Sequence, residues 1–128
     1  MATGEKDPET IIREFLASWP RRNVDRFLQY FTDDAVYHNI PLAAAKGKAA
    51  IRKTIDGFMP GTTKIEFKIL STASAGATVF NERVDSFIVN GRPVVVPVAG
   101  VFEISGGKIK AWRDYFDLAT YMNQIKGK

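Results

Sequence analysis

The sequence predicts an α+β fold in which helices come first and pack in the concave face of a curved, cone-shaped antiparallel sheet. Two observations carry that expectation. Apolar residues recur at helical spacing as far as Phe58, then switch to alternation from Lys64 onward. Turn signals at Asn90-Gly91 and Ser105-Gly106-Gly107 then divide the C-terminal half into extended runs that must fold back on one another.

Ile11, Ile12, Phe15, Leu16 and Trp19 lie at helical spacing over residues 8 to 19, behind Asp7 as N-cap and Pro8 in the first turn, where its missing N–H is no loss. A second helix follows Asn23, with Val24, Phe27, Leu28 and Phe31 on one face, until Thr32-Asp33-Asp34 breaks it. Ala35 to Ile40 reads as a short extended piece stopped by Pro41. Residues 47 to 58 read as a third helix, carrying Ala49, Ile51, Ile55 and Phe58, before Met59-Pro60-Gly61. Lys64 to Ile69 alternates strictly, and Ala77 to Val89 forms a long strand. Asn90-Gly91 is a two-residue hairpin signal, because both residues tolerate positive φ. Arg92 to Ile104 runs back, Ser105-Gly106-Gly107 turns into Lys108 to Phe116, and a short helix follows around Leu118 to Ile125.

With 128 residues and 45% hydrophobic content, the chain fits one domain over residues 1–128, with residues 1–6 a flexible tail. The lack of cysteine excludes disulfides, thiolate nucleophiles and Cys-based zinc sites. No apolar run approaches the roughly 18 residues of a membrane span, and the polar N-terminus has no apolar signal region. The expectation is a soluble, cytoplasmic protein without a membrane partner. The net charge of +4 comes from lysines and arginines scattered among acids and apolar residues. No basic stripe is interleaved with stacking aromatics, so nucleic acid is not an expected partner.

Three charges break the strand pattern: Arg83 and Asp85 inside Val79 to Val89, and Asp114 inside Ile109 to Phe116. Charges among aromatic and β-branched neighbours are costly unless paired. If Val89 faces Arg92 across the hairpin, Arg83 lies opposite Val98 and Asp85 opposite Val96, on one face. A three-residue Ser105-Gly106-Gly107 loop pairs Asp114 with Val98, whereas a two-residue loop pairs it with Ala99 and turns it to the other face. We take the three-residue register, in which Arg83 reaches both acids. Two acids around one cation leave a net negative charge, and burial then keeps one proton on the pair, producing an acid and a base in one pocket. Spacing alone is equally consistent with an ion network that only fixes the register. His38, the single histidine, faces away from Tyr37 and Asn39 in a strand and reads as a packing or surface residue. Arg113 and Asp117 alternate away from Asp114 and read as an outer-face ion pair.

Tyr37-His38-Asn39-Ile40-Pro41, Glu82-Arg83-Val84-Asp85, Gly100-Val101-Phe102, and Gly106-Gly107-Lys108-Ile109 through Trp112-Arg113-Asp114-Tyr115-Phe116-Asp117-Leu118 resemble the limonene-1,2-epoxide hydrolase family. The motifs occur in the family's order and over nearly the whole chain. Each is weak alone, but the ordered set is specific. The resemblance implies the cone fold of the nuclear transport factor 2-like (SnoaL-like) superfamily, which ketosteroid isomerase shares, and a homodimer joined through the outer sheet face. It also implies hydrolysis of a small hydrophobic epoxide, of a terpene or cycloalkene, to a vicinal diol. Carried over residue by residue, Asp114 matches the general base, Asp85 the general acid and Arg83 the bridge between them. Tyr37 and Asn39 match the residues that hold the nucleophilic water together with the base.

The chemistry agrees with the residue types. An epoxide opens when water loses a proton as it attacks carbon while the departing oxygen gains one, so a base and an acid must flank the ring. By analogy with inverting glycosidases, a gap of roughly 6.5 to 9.5 Å between the carboxyls leaves room for that water. Such a mechanism needs no covalent intermediate, metal or organic cofactor. Leu42, Phe58, Phe67, Ile69, Leu70, Val96, Val98, Phe102, Trp112, Phe116 and Leu118 are the candidates for an apolar, substrate-binding lining. Two other readings suit the same fold. One is a noncatalytic module for a hydrophobic ligand. The other is a ketosteroid-type isomerase, with one carboxylate base and with Tyr37 and protonated Asp85 as oxyanion donors. Asn39 and the second acid weigh against the isomerase.

Overall fold

A computed structural model describes residues 6–127. Most of the tail expected over residues 1–6 thus lies outside the described residues, while Lys6 pairs with Glu14. The first helix, α1 (Pro8–Ser18), starts where Asp7 accepts the Thr10 backbone N–H at 2.8 Å, and it buries Ile11, Ile12, Phe15 and Leu16. A second, α2 (Val24–Gln29), is capped in the same way by Asn23.

The chain then enters β1 (Phe31–Asn39), earlier than the sequence pattern suggests. Thr32-Asp33-Asp34 continues the strand rather than breaking a helix. The three polar residues sit where the β1 ladder is irregular between Phe31 and Val36 and can remain wet, while Phe31 is fully buried against Ile109. The two-residue β2 (Ala45–Lys46), too short to leave a pattern, pairs with Tyr37 and Val36. The third helix is α3 (Lys48–Phe58), with Ile51 and Ile55 buried.

The remaining strands are β3 (Thr62–Ala75), β4 (Thr78–Val89), β5 (Arg92–Ser105) and β6 (Lys108–Tyr115), followed by α4 (Leu118–Ile125). Among the described residues the six strands form one sheet in the order β2-β1-β6-β5-β4-β3. All neighbours run antiparallel except β1 and β6, which are parallel because the first strand is laid beside the last. Bulges in β3 and β6 bend the sheet around the helices.

The first hairpin is as expected: Asn90 and Gly91 have φ of 50° and 81°, Val89 faces Arg92, Arg83 faces Val98 and Asp85 faces Val96. The second differs. Ser105 pairs with Lys108, so the loop is the two residues Gly106 and Gly107, not three. The ladder then slips between Glu103 and Ile104, leaving Lys110 as the extra residue, and Asp114 comes opposite Gly100 rather than Val98. A two-residue loop alone would send Asp114 outward; the bulge restores the parity. It also lets Ile109 and Trp112, an odd number of positions apart, both face the core.

Two apolar clusters fill the cone. The larger joins the helices to the inner sheet face through a nest of rings: Trp19 stacks on Phe27 at 4.0 Å, and Phe15 meets Trp112 edge-on at 5.1 Å. The smaller, around Val89, Val94, Val96 and Val98, packs under α4. Because β6 ends opposite Ala99, the earlier part of β5 has no strand on that side. Gln124 of α4 fills the open edge, its amide nitrogen donating to the Val95 carbonyl and its amide oxygen accepting the Val95 N–H, both at 2.8 Å. Asp117 caps α4 through Thr120, and Arg113 pairs with Glu103 at 2.6 Å, so the expected Arg113–Asp117 pair does not form. No helix among the described residues is long and apolar enough to cross a membrane.

Candidate active site

Strand alternation in β4 sends Asn81, Arg83, Asp85 and Phe87 inward, and β6 sends Trp112 and Asp114 to the same side. Arg83 is fully enclosed at 0% exposure, yet every one of its five N–H donors has an acceptor. Nε and Nη2 bind the two oxygens of Asp85 at 3.0 and 2.8 Å. Nη1 and Nη2 bind the two oxygens of Asp114 at 3.1 and 2.8 Å, and Nη1 also donates to Asn81 Oδ1 at 3.1 Å. The guanidinium carbon lies 5.3 Å from the Phe67 ring centre and 5.9 Å from that of Phe102. One planar cation thus grips two carboxyl groups bidentately, the strongest geometry available to it.

The two acids differ in their surroundings. Asp114 accepts a third hydrogen bond, from Trp112 Nε1 at 2.7 Å. Burial pushes Asp85 up to about 6, against the opposing pull of Arg83. Burial also works against the charge on Arg83, but the two carboxyls outweigh it and hold the guanidinium above its ordinary value.

The parallel pairing of β1 with β6 places Asn39 beside Asp114 and Tyr37 beside Trp112, on which the phenol ring stacks at 4.4 Å. The Tyr37 hydroxyl donates to Asn39 Oδ1 at 3.3 Å, and burial, followed by the nearby charge of Asp114, raises its pKa. His38 points elsewhere, its Nε2 being 2.9 Å from the Leu42 carbonyl oxygen.

Space for this cluster depends on Gly100. Its φ is not positive, so the glycine is not required by the backbone. A Cβ there would press into Arg83 Nη1 and lie 3.0 Å from both Asn81 Oδ1 and Asp114 Oδ1. The Nη1 end of the guanidinium occupies the place a side chain would take.

Asp85 and Asp114 form part of the wall of a largely apolar cavity of about 360 Å³, together with Tyr37 and Asn39. Of the residues expected to line it, Leu42, Phe58, Phe67 and Val96 do, as do Val98, Phe116 and Leu118. Four do not. Leu70 is the bulged residue of β3 and is 51% exposed, and Ile69 beside it packs into the helix-side core. Phe102 and Trp112 stack on each other at 5.4 Å and are sealed behind the charged cluster. Trp19, Phe87, Tyr121 and Met122 complete the wall and were not expected. Phe87 follows Asp85 by one alternation, and Leu118, Tyr121 and Met122 share a helix face, so both signals were present in the sequence. Asn81, two residues before Arg83, was missed in the same way.

Both Asp85 Oδ2 and Asp114 Oδ2 are 2.8 Å from the same nitrogen, so these oxygens lie within twice that distance of each other. The two facing oxygens are thus close enough to serve one small ring, while the other oxygen of each acid lies farther apart, at Nε and Nη1 of Arg83. A three-membered ring is much smaller than a sugar, and an acid and base joined by one cation can still reach opposite ends of it.

The family model of the limonene-1,2-epoxide hydrolase catalytic domain matches residues 6–126. Epoxide hydrolase EphG of Mycobacterium tuberculosis is 33% identical over 122 residues, spanning 89% of this chain and 81% of that protein. The structure of an LEH-like epoxide hydrolase from M. tuberculosis superposes with a TM-score of 0.81 at 28% identity, covering 94% of this chain and 90% of that one. An NTF2-like protein of unknown function from Burkholderia pseudomallei has a TM-score of 0.84 at 16% identity, over 94% of this chain and 98% of its own, and shares the fold alone.

Proposed function

Because this chain belongs to the limonene-1,2-epoxide hydrolase family, we propose that it adds water to a small hydrophobic epoxide in one step, giving a vicinal diol. The observation that carries the reading is the bidentate grip of Arg83 on Asp85 and Asp114 at the wall of an apolar cavity.

In this reading Asp114 is the general base and Asp85 the general acid. A water sits among Asp114, Tyr37 and Asn39. The Tyr37 hydroxyl, having donated its proton to Asn39 Oδ1, accepts from the water, and the Asn39 amide nitrogen donates to it. Asp114 takes the water proton as the water oxygen attacks one epoxide carbon from the side opposite the ring oxygen. The carbon–oxygen bond of the ring breaks, and its electron pair takes the proton held by Asp85. The cluster then carries the same net charge as before, with the proton moved from one acid to the other. Arg83, bound to both through Nη2, faces one carboxylate and one carboxylic acid at either stage, so no charge is stranded. Burial supplies the rest, since it holds a proton on Asp85 at a pH where an exposed aspartate has none.

The apolar wall favours a compact hydrocarbon epoxide such as a terpene or cycloalkene oxide. Phe80, Val95 and Tyr115 are exposed, and they lie on sheet positions that alternate outward; we read them as the seam of a homodimer, which sedimentation of the purified protein tests by mass.

The functional test is incubation with limonene oxide and cyclohexene oxide, beside an unconjugated ketosteroid. Diol from the epoxides and unchanged steroid is the expected result. Isomerised steroid with intact epoxides would replace the hydrolase by an isomerase, and turnover of neither would leave a binding module.

A further inference from the structure

We propose that Asn81 is a positioning residue of this site, setting the plane of the Arg83 guanidinium through which both aspartates are held; the inference rests on the hydrolase reading above. Asn81, Gly100 and Asp114 form one cross-strand row, and Arg83 reaches into the gap left by the glycine. Four of the five Arg83 N–H donors go to the two aspartates. The fifth, on Nη1, goes to Asn81 Oδ1 at 3.1 Å. Without that acceptor Nη1 would keep a buried, unpartnered N–H, and the guanidinium could relieve it only by rotating away from its symmetric grip.

The orientation of Asn81 follows from chemistry: its oxygen must face Nη1, because its amide nitrogen would set donor against donor. The same side chain is 5% exposed, and its Nδ2 has no hydrogen-bond partner among the described residues. The residue thus leaves its own buried donor unsatisfied while giving Arg83 its fifth acceptor, so the amide is accounted for by its oxygen and not by its nitrogen. Asn81 does not line the cavity, so its effect on catalysis passes through Arg83 rather than through substrate.

Two variants test this. Asn81→Leu removes the acceptor at similar size; kcat should fall about 100-fold with KM within about twofold, as for misplacement of a reacting group by a remote change. Asn81→Asp keeps an oxygen acceptor but sets a third acid around one guanidinium. The last proton should then leave the cluster at a pH about one unit higher, moving the upper limb of kcat/KM with it. The same midpoint, read from the carbon-13 shifts of the aspartate carboxyls, needs no substrate. Native protein that opens no epoxide would therefore sink the hydrolase reading alone. A carboxyl midpoint unmoved in Asn81→Asp would overturn the role proposed for Asn81. So would a folded Asn81→Leu protein with native kcat. In Asn81→Leu, a purely structural effect would lower the folded fraction and leave kcat per folded molecule at the native value.

Discussion

Asp85 and Asp114 share a nitrogen: each places Oδ2 2.8 Å from Nη2 of Arg83. The shared contact joins the two acids through one cation, while their other neighbours divide the roles. Asp114 has the indole N–H of Trp112 as a third donor; among the described residues Asp85 has only Arg83 and an apolar wall.

Replacing either acid should remove the chemistry and keep the fold. For Asp114→Asn and Asp85→Asn we expect kcat to fall by about 10²- to 10⁴-fold, the usual contribution of a general base or acid. Circular dichroism melts beside diol assays separate this from unfolding. Near-native rates in both folded variants would contradict the assignment.

The pH dependence follows from Asp85, which burial pushes up to about 6. In the unfolded chain an aspartate titrates at about 3.9, so between the two values the native state holds a proton the unfolded state lacks. The stability this contributes is complete below the unfolded value and is lost as the pH rises through about 6. Urea melts across this range should show native stability falling with pH from this group, and Asp85→Asn should remove that slope. Activity needs the same proton, so kcat/KM should decline on an upper limb near that pH.

Much of this site is legible in the sequence. Alternation placed Arg83 and Asp85 on one face, and Asn90-Gly91 set their register, because a two-residue turn with positive φ leaves no freedom. The partner of Asp114 was not legible. It depends on a bulge at Lys110, and a bulge leaves no mark on a pattern in which Lys108 and Lys110 already alternate with Ile109 and Ala111. The wrong loop length and the missing bulge cancelled in parity, so the right face came from a register that was off. Leu70 failed for the same reason in β3; the shared helix face of Tyr121 and Met122 is legible, but that this face meets the cavity depends on the docking of α4.

Gly100→Ala should be costly out of proportion to one methyl group. The added carbon would press into Nη1 of Arg83, a cation pinned by both carboxyls, and would lie 3.0 Å from Asn81 Oδ1 and Asp114 Oδ1. We expect a loss of about 1–3 kcal/mol, as for other overpacked cores, measured by chemical denaturation. A drop in kcat should accompany it as the guanidinium shifts.

Gln124→Leu tests how α4 is held. It removes both hydrogen bonds to Val95 and reopens the edge of β5. Hydrogen exchange should quicken in α4. Because Leu118, Tyr121 and Met122 bring that helix into the cavity wall, KM should rise several-fold with little change in kcat.

A single turnover in oxygen-18 water, with protein in excess over cyclohexene oxide, tests the one-step mechanism most directly. Direct attack by a water held at Asp114, Tyr37 and Asn39 puts one labelled oxygen in the first diol formed and leaves the protein mass unchanged. Unlabelled first-turnover diol, with the label found in the carboxyl of Asp85 or Asp114, would mean that an aspartate attacks the epoxide itself and would contradict the mechanism.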